Sequence, residues 1–241
     1  MALIYDVTFD SQTRILSLLD KAGNVISSCE VPSKNVDDIT KPLTLTATVD
    51  NSTVKLWMSG TVHNTFEVDK GNGWEDYTIN TVIHLNAGES CKWRCKSHPS
   101  TQTDSRYVRF VMTGTIEASG NCNSMLSSDF ENMTSLSNSK YDHAFVALFK
   151  GCTSLTKAPL LPATILPPYG YYHMFDGCKS LKEVRISATK TATGALTQWL
   201  YDVSSTGDFY CDPNATIFPA GMSGIPTNWR RLPLSDYPVT P

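Results

Sequence analysis

The sequence contains few charged residues and none of the short motifs that mark the common enzyme classes. Charged side chains make up 18% of its 241 positions, with a formal net charge of -3, whereas an average soluble protein has roughly 25%. Its basic groups, at 92–96 and 230–231, are short, so no nucleic-acid partner is expected. Nucleophile-elbow, zinc-protease and P-loop motifs are missing, and the five histidines have no partner at metal-ligand spacing. We therefore expect a non-enzymatic protein with no catalytic residue, metal or cofactor.

The sequence also lacks a long apolar run. No stretch approaches the length that a membrane span needs, so we expect no membrane association. The first ten residues have no basic start, no extended apolar core and no small-residue cleavage site, which together would mark a secretory signal. Either a leader has been removed, or the protein is made in the cytoplasm and works in an assembly there.

Cysteine is present in an odd number, seven residues spread along the chain. A secreted disulfide framework is more often even in number and tightly spaced. Cys152 and Cys178 occupy the same position of the repeat described below, which predicts that both thiols lie in one buried column. Cys91 and Cys95 have a spacing that a metal pair can use, but no second pair follows. Because positions four apart on a strand share a face, we interpret them as core side chains.

The strongest positive signal is an internal repeat. Residues 148–155 (LFKGCTSL) recur as 174–181 (MFDGCKSL), a shift of 26 positions from 148 to 174. A fixed period of this size is the signature of a solenoid, in which each unit buries its apolar face against its neighbours. A degenerate first unit at 133–136 and a terminal unit at 199–200 extend the pattern. The positions that we expect to build the stack are Phe149, Gly151, Cys152, Leu155, Phe175, Gly177, Cys178 and Leu181.

Strand and turn patterns predict a mainly β protein in four segments. Residues 1–42 contain three short alternating runs and a linker, and form an N-terminal β-arm that anchors the protein. Residues 43–117 alternate through about seven short strands, the pattern of an Ig-like β-sandwich. Residues 118–232 hold a short leucine-rich-repeat solenoid with a C-terminal cap, and 233–241 form a Pro-rich tail.

Within the solenoid, we expect each unit to contain a short helical turn that ends at the Gly-Cys pair, followed by a short strand. Prolines between the units prevent a continuous helix. The run 207–211 and the residues up to Trp229 are expected to form a capping hairpin over the open end of the stack. Among the sandwich strands, one is expected at 77–79.

The repeat resembles the BspA-like leucine-rich repeat family, whose unit reads roughly Met-Phe-x-Gly-Cys-x-Ser-Leu-x-x-x-Pro-x-Leu-Pro-Ala-Thr. Residues 149–164 reproduce this unit almost whole, and 175–181 repeat its first half. The run Val184-Arg185-Ile186 departs where Pro-x-Leu-Pro would stand, which predicts that the array ends there. The resemblance covers about residues 120–230. Such repeats occur in surface proteins of gut Bacteroidetes and in structural proteins of their crAss-like phages, so the resemblance implies adhesion or display.

These observations favour a bacteriophage virion component, a head or tail fibre or a capsid decoration, that presents its repeat domain for surface binding. Its partners would be other virion proteins, contacted through the N-terminal arm, and a host surface glycan or protein. A homo-oligomer is expected, with a trimer favoured. The alternative is an exported bacterial cell-surface adhesin of the same repeat type.

One aromatic group is a candidate surface for a ligand or partner. Tyr169, Tyr172 and His173 lie beside a glycine in the second clear repeat, and tyrosine is enriched at interfaces. Tyr171 aligns with Phe145 of the preceding unit and is therefore expected in the core.

Overall fold

Alternating apolar and polar residues form strands in a computed structural model, which describes residues 6–10, 15–30, 39–98 and 102–238. The protein is mainly β with almost no helix. The longest helical segment in the described ranges is a 3-10 helix of four residues, Cys122–Met125. Nowhere in those ranges does a helix combine the length and apolarity that a transmembrane segment needs. The chain forms two compact units, Met1–Val36 with Pro238–Pro241, and Asp37–Tyr237.

The smaller unit contains the three strands predicted near the N-terminus. Strands β1 (Asp6–Asp10), β2 (Ile15–Leu19) and β3 (Val25–Glu30) pair antiparallel in that order. The turn between β2 and β3 is closed by Asp20, whose carboxylate accepts the N–H groups of Ala22 and Asn24. Most of the predicted linker that follows β3 lies outside the described residues.

The larger unit begins with seven strands that lie in two facing sheets. In their core, Trp93 and Phe110 from opposite sheets meet edge to face at 5.2 Å. The strands are β4 (Leu43–Ala47), β5 (Ser52–Ser59), β6 (Thr65–Asp69), β7 (Trp74–Tyr77), β8 (Ile83–Leu85), β9 (Ser90–Ser97) and β10 (Tyr107–Thr113).

One predicted strand of this region is displaced. β7 ends at Tyr77, the residue at which the prediction began, because the chain turns at once afterwards. The turn is held by Thr81, whose N–H bonds to the Thr78 carbonyl, and by the Tyr77 hydroxyl, which donates to the Thr81 carbonyl. The same hydroxyl accepts the N–H of Leu56, so the turn is tied to the facing sheet.

The second half of the unit is a β-solenoid of about three turns. β11 (Ile116–Ser119) is followed by coil 1, which ends in β12 (Leu155–Leu161), by coil 2, which ends in β13 (Glu183–Ile186), and by coil 3, which ends in β14 (Gly207–Cys211). These strands and β15 (Trp229–Pro233) pair in parallel.

Three expectations about the solenoid are wrong. The stack does not end at Val184-Arg185-Ile186, since β13 pairs with β14 and these three residues are buried without the family's prolines. β14 and β15 do not form a hairpin, because they pair in parallel from Gly207 with Trp229 onward. The segments before each Gly-Cys pair are chains of turns rather than helical turns.

A single sheet joins the two halves of the larger unit. Its nine strands lie in the order β15-β14-β13-β12-β11-β4-β9-β6-β7. β11 pairs antiparallel with β4 on one side and parallel with β12 on the other. The strand β10 lies under coil 1, where the N–H of Phe110 bonds to the Leu148 carbonyl at 2.7 Å. β10 therefore covers part of the first end of the solenoid.

Repeated side chains form columns through the stack. The rings of Phe110, Phe149 and Phe175 stack at centroid distances of 5.3 and 5.4 Å. Beside them, the Cys152 thiol donates to the Phe110 carbonyl, and the Cys178 thiol donates to the Phe149 carbonyl. The predicted column of buried thiols is confirmed. Every repeat position named from the sequence, apart from the two glycines, is buried.

Candidate binding groove

The candidate residues Tyr169, Tyr172 and His173 lie on a segment in which every fourth residue has a left-handed backbone conformation. Tyr169, His173 and Gly177 have φ values of 54°, 52° and 76°, the left-handed region. An α-helix cannot contain such residues, which explains why this segment is a chain of turns. The corresponding left-handed residues are His143, Ala147 and Gly151 in coil 1, and Gly194, Gln198 and Asp202 in coil 3.

Hydrogen bonds between coils use the backbone donors that an α-helix would satisfy internally. The N–H of Ala147 bonds to the Tyr172 carbonyl, and the N–H of His173 bonds to the Thr197 carbonyl. Intervening donors close turns within their own coil, as the N–H of Tyr172 does with the Tyr169 carbonyl. The segment is thus held on both sides, and its side chains project from a fixed backbone.

Tyr171 lies in the core, as predicted. It is 0% exposed, and its ring lies 5.6 Å from that of Phe145. Burial raises the pKa of Tyr171 well above its ordinary value. It therefore takes no part in the surface that its neighbours form.

Tyr169, Tyr172 and His173 are each half-buried and in contact with one another or with coil 1. The Tyr169 ring stacks on the His143 imidazole at 4.8 Å and 12°. Tyr172 meets Tyr169 edge to face at 5.9 Å and His173 at 4.3 Å. These contacts fix the orientation of the Tyr172 ring. The sequence therefore identified a real cluster of aromatic rings.

The cluster forms one side of a groove of about 200 Å³ at the junction of the two halves of the unit. We call it the junction groove. Three parts of the chain contribute to it: the start of β10, coil 1 and coil 2. Its lining residues are Asp104 and Tyr107, then Val146, Ala147 and Lys150, then Tyr172 and His173.

The charges around the junction groove are paired. The Asp176 carboxylate lies 2.7 Å from Nδ1 of His173 and 2.8 Å from Nζ of Lys150. Across the groove, the Asp104 carboxylate lies 3.3 Å from Nε2 of His143. Asp104 is 63% exposed in its side chain and Lys150 is 40% exposed. The groove therefore presents both hydrogen-bond donors and acceptors without a strong excess of either charge.

The wall on the β10 side is also built from rings. Tyr107 meets Trp57 edge to face at 6.3 Å, and the Arg109 guanidinium lies 4.9 Å from the centre of the Trp57 ring. The same guanidinium donates to the Lys150 carbonyl at 3.1 Å. This bond links β10 to coil 1.

Only the coil 2 part of the junction groove was predicted from the sequence. Tyr172 and His173 line it, and Tyr169 supports it from behind. Asp104, Tyr107 and Lys150 were missed, because the residues around β10 do not share the repeat motif and nothing in the spacing relates them to coil 2.

A second depression, of about 330 Å³, lies beside β6 and β8 and is lined by Asp69, His84 and Lys92 among others. The Asp69 carboxylate accepts the N–H groups of Gly71 and Gly73 and so closes its own turn. Bonding to Gly71 is the main reason that the pKa of Asp69 is lowered. The Asp69 carboxylate therefore stabilises its own turn and is not available to bind a ligand.

No group of three or more metal-ligating side chains occurs among the residues that the structure describes. Cys91 and Cys95 lie in the core on one face of β9, as interpreted from their spacing. Comparisons with protein-family models, curated proteins and solved structures found no match to this chain. The geometry of the junction groove suits binding of a small polar group.

Proposed function

We propose that the protein is a non-enzymatic structural and adhesion protein, a component of a bacteriophage virion such as a head or tail fibre or a capsid decoration. The observation that carries this proposal is the solenoid itself. Repeat stacks provide extended surfaces, and here the lateral face of the stack carries an aromatic groove on a fixed backbone. In this role the protein works by shape and needs no cofactor, metal or nucleic acid.

The proposal includes a finer description of the architecture. The solenoid is of the BspA-like leucine-rich repeat type, supported by residues 149–164, which follow the family unit and contain β12. The strands β4–β10 form an Ig-like sandwich, supported by their number and their two facing sheets. The three-stranded N-terminal unit is an anchoring β-arm, supported by the fact that it forms a compact unit of its own.

Apolar exposure supports the anchoring role of the N-terminal unit. Val25 and Ile26 on β3 are 59% and 40% exposed. A partner that covers β3 would remove these side chains from water. The partners proposed are other virion proteins, and the assembly favoured is a homotrimer. Its location would be the virion.

A second candidate function rests on the repeat unit. The same repeats are found in surface proteins of gut bacteria, so the unit at 149–164 also supports an exported bacterial adhesin. The two functions differ in what the N-terminal unit does. A virion component needs it for docking, whereas an adhesin presents the solenoid without requiring that contact.

The mass of the full chain in solution, measured by light scattering, tests the proposal. Without a virion partner, the exposed β3 surfaces of separate copies should associate with one another. We therefore expect a trimer for the wild-type protein and a monomer for the double variant Val25→Glu/Ile26→Glu, because two charges on β3 would disfavour that buried contact. Val82→Glu is the matched control, since Val82 is 44% exposed but lies in the larger unit. A wild-type monomer would contradict the trimeric virion component and favour the adhesin.

A further inference from the structure

We propose that the junction groove binds one neutral pyranose ring of a surface glycan, stacked against Tyr172. This inference rests on the proposed adhesion function and gives the chemical class of its ligand. Three properties of the groove lead to this inference: its size, its mixture of aromatic rings and polar groups, and the fact that its backbone N–H groups are already hydrogen-bonded.

The size of the groove selects a small ligand. Its volume of about 200 Å³ lies below the roughly 300–1,000 Å³ of sites that enclose drug-sized molecules. The groove is also open on one side, where Asp104 and Lys150 are exposed. It can hold a single ring while the remainder of a longer chain continues into solvent.

The lining matches the two kinds of surface that a pyranose presents. A sugar ring has an apolar face of C–H groups, which packs on an aromatic ring, and an edge of hydroxyls that both donate and accept. Tyr107 and Tyr172 supply rings on two sides of the groove. The carboxylate of Asp104 supplies an acceptor, and Lys150 supplies a donor.

The rings are positioned before any ligand binds. Tyr172 is held by Tyr169 and His173, and His173 is held by Asp176. Fixing these side chains in advance reduces the entropy that binding would otherwise lose. The pairing of Asp176 with Lys150 and His173 also leaves no strong positive field, which favours a neutral sugar over an acidic one.

The backbone of the groove argues against an extended peptide as the ligand. Peptides that add to a protein edge use free main-chain donors and acceptors. Here the N–H groups of Ala147 and His173 bond to the next coil, and those of Lys150 and Tyr172 close turns within their own coil. Recognition must therefore use side chains, which suits hydroxyls better than a peptide backbone.

A single ring in an open groove binds weakly. We expect dissociation constants in the millimolar range for monosaccharides. Adhesion would then depend on several grooves that act together on one surface, through effective concentration.

Saturation-transfer NMR on the full chain tests the proposal. The probes are the methyl glycosides of glucose, galactose, mannose and N-acetylglucosamine, each at millimolar concentration. We expect transfer to at least one of them, a loss of at least about fivefold in Tyr172→Ala, and retention in Tyr172→Phe, which keeps the stacking ring. Tyr201→Ala is the matched control, because Tyr201 is 46% exposed and does not line the groove. Circular dichroism in the near ultraviolet verifies that each variant is folded.

Three results would overturn the inference. They are no transfer to any of the four glycosides, equal transfer in the wild type and Tyr172→Ala, or Tyr172-dependent transfer to capped tetrapeptides but not to glycosides. Light scattering on the same samples separates the two proposals. Glycoside binding by a monomer would support the groove while opposing the trimeric virion component, and a trimer without binding would do the reverse.

Discussion

At the scale of single residues, burial controls the chemistry of the cysteines. Burial raises the pKa of Cys91, Cys95 and Cys152 to about 12, from an ordinary value of 9.0. Below pH 9 these thiols are protonated in both the folded and the unfolded chain, so their contribution to stability is fully present. Between about pH 9 and 12 the unfolded chain loses protons that the folded chain retains. The free energy of unfolding should therefore fall by up to about 1.4 kcal/mol per pH unit for each thiol.

Urea unfolding of the wild type and Cys152→Ala, under reducing conditions at pH 7, 9 and 10.5, checks this prediction. Tyrosines and lysines also titrate in this range, so the informative quantity is the difference in pH dependence between the two proteins. We expect the variant to lose less stability than the wild type between pH 9 and 10.5. If the free energy of unfolding fell equally with pH in both proteins, Cys152 would not titrate as its burial requires.

Burial was predicted correctly from the sequence for side chains that share a repeat position, whereas the end of the array and the form of its turns were not. Cys152 and Cys178 were placed in one buried column because they share a repeat position, and Tyr171 was placed in the core because it aligns with Phe145. The role of Tyr107 was not predicted, because β10 packs under coil 1 without sharing its motif. The groove therefore depends on a tertiary contact that spacing alone does not encode.

At the scale of elements, the turn segments of the coils are the feature that the sequence did not reveal. Residues 144–149 (AFVALF) have the composition of a short helix, yet the segment forms turns because bonding between coils replaces bonding within a helix. Strand positions were more predictable, since alternation along β4, β5 and β9 directly records which face is buried.

The left-handed positions give a prediction for these segments. Gly177 has φ of 76°, and an added Cβ would make only ordinary contacts, the nearest at 3.5 Å from Cα of Gly151. Gly177→Ala should therefore lower the free energy of unfolding by about 1–2 kcal/mol through backbone strain alone. Thr197→Ala, an exposed position of the next coil, should change it by less than about 0.5 kcal/mol. Urea unfolding measures both variants. Equal stabilities of the wild type and Gly177→Ala would mean that the backbone around residue 177 relaxes away from the left-handed conformation.

At the scale of the whole molecule, the boundary drawn near residue 117 coincides with a change from antiparallel to parallel pairing. The sheet continues through this point, because β11 pairs with strands on both sides. The core continues too, since Phe110 of β10 stacks on Phe149 of coil 1. Patterns along a sequence distinguish the two kinds of strand but do not reveal that they share a sheet.

Continuity of sheet and core predicts that residues 37–237 unfold as one cooperative unit. Phe149→Ala should destabilise this unit by about 3–5 kcal/mol, because it removes a buried ring from the middle of the stacked column. Native-state hydrogen exchange should show the same loss of protection free energy for amides of β9 and of β13, although Phe149 lies in coil 1. Val49→Ala, at a 43% exposed position, should leave the protection of β9 and β13 nearly unchanged. A loss confined to β12–β14 would mean that the solenoid opens separately, and that the Phe110–Phe149 contact does not couple the two halves.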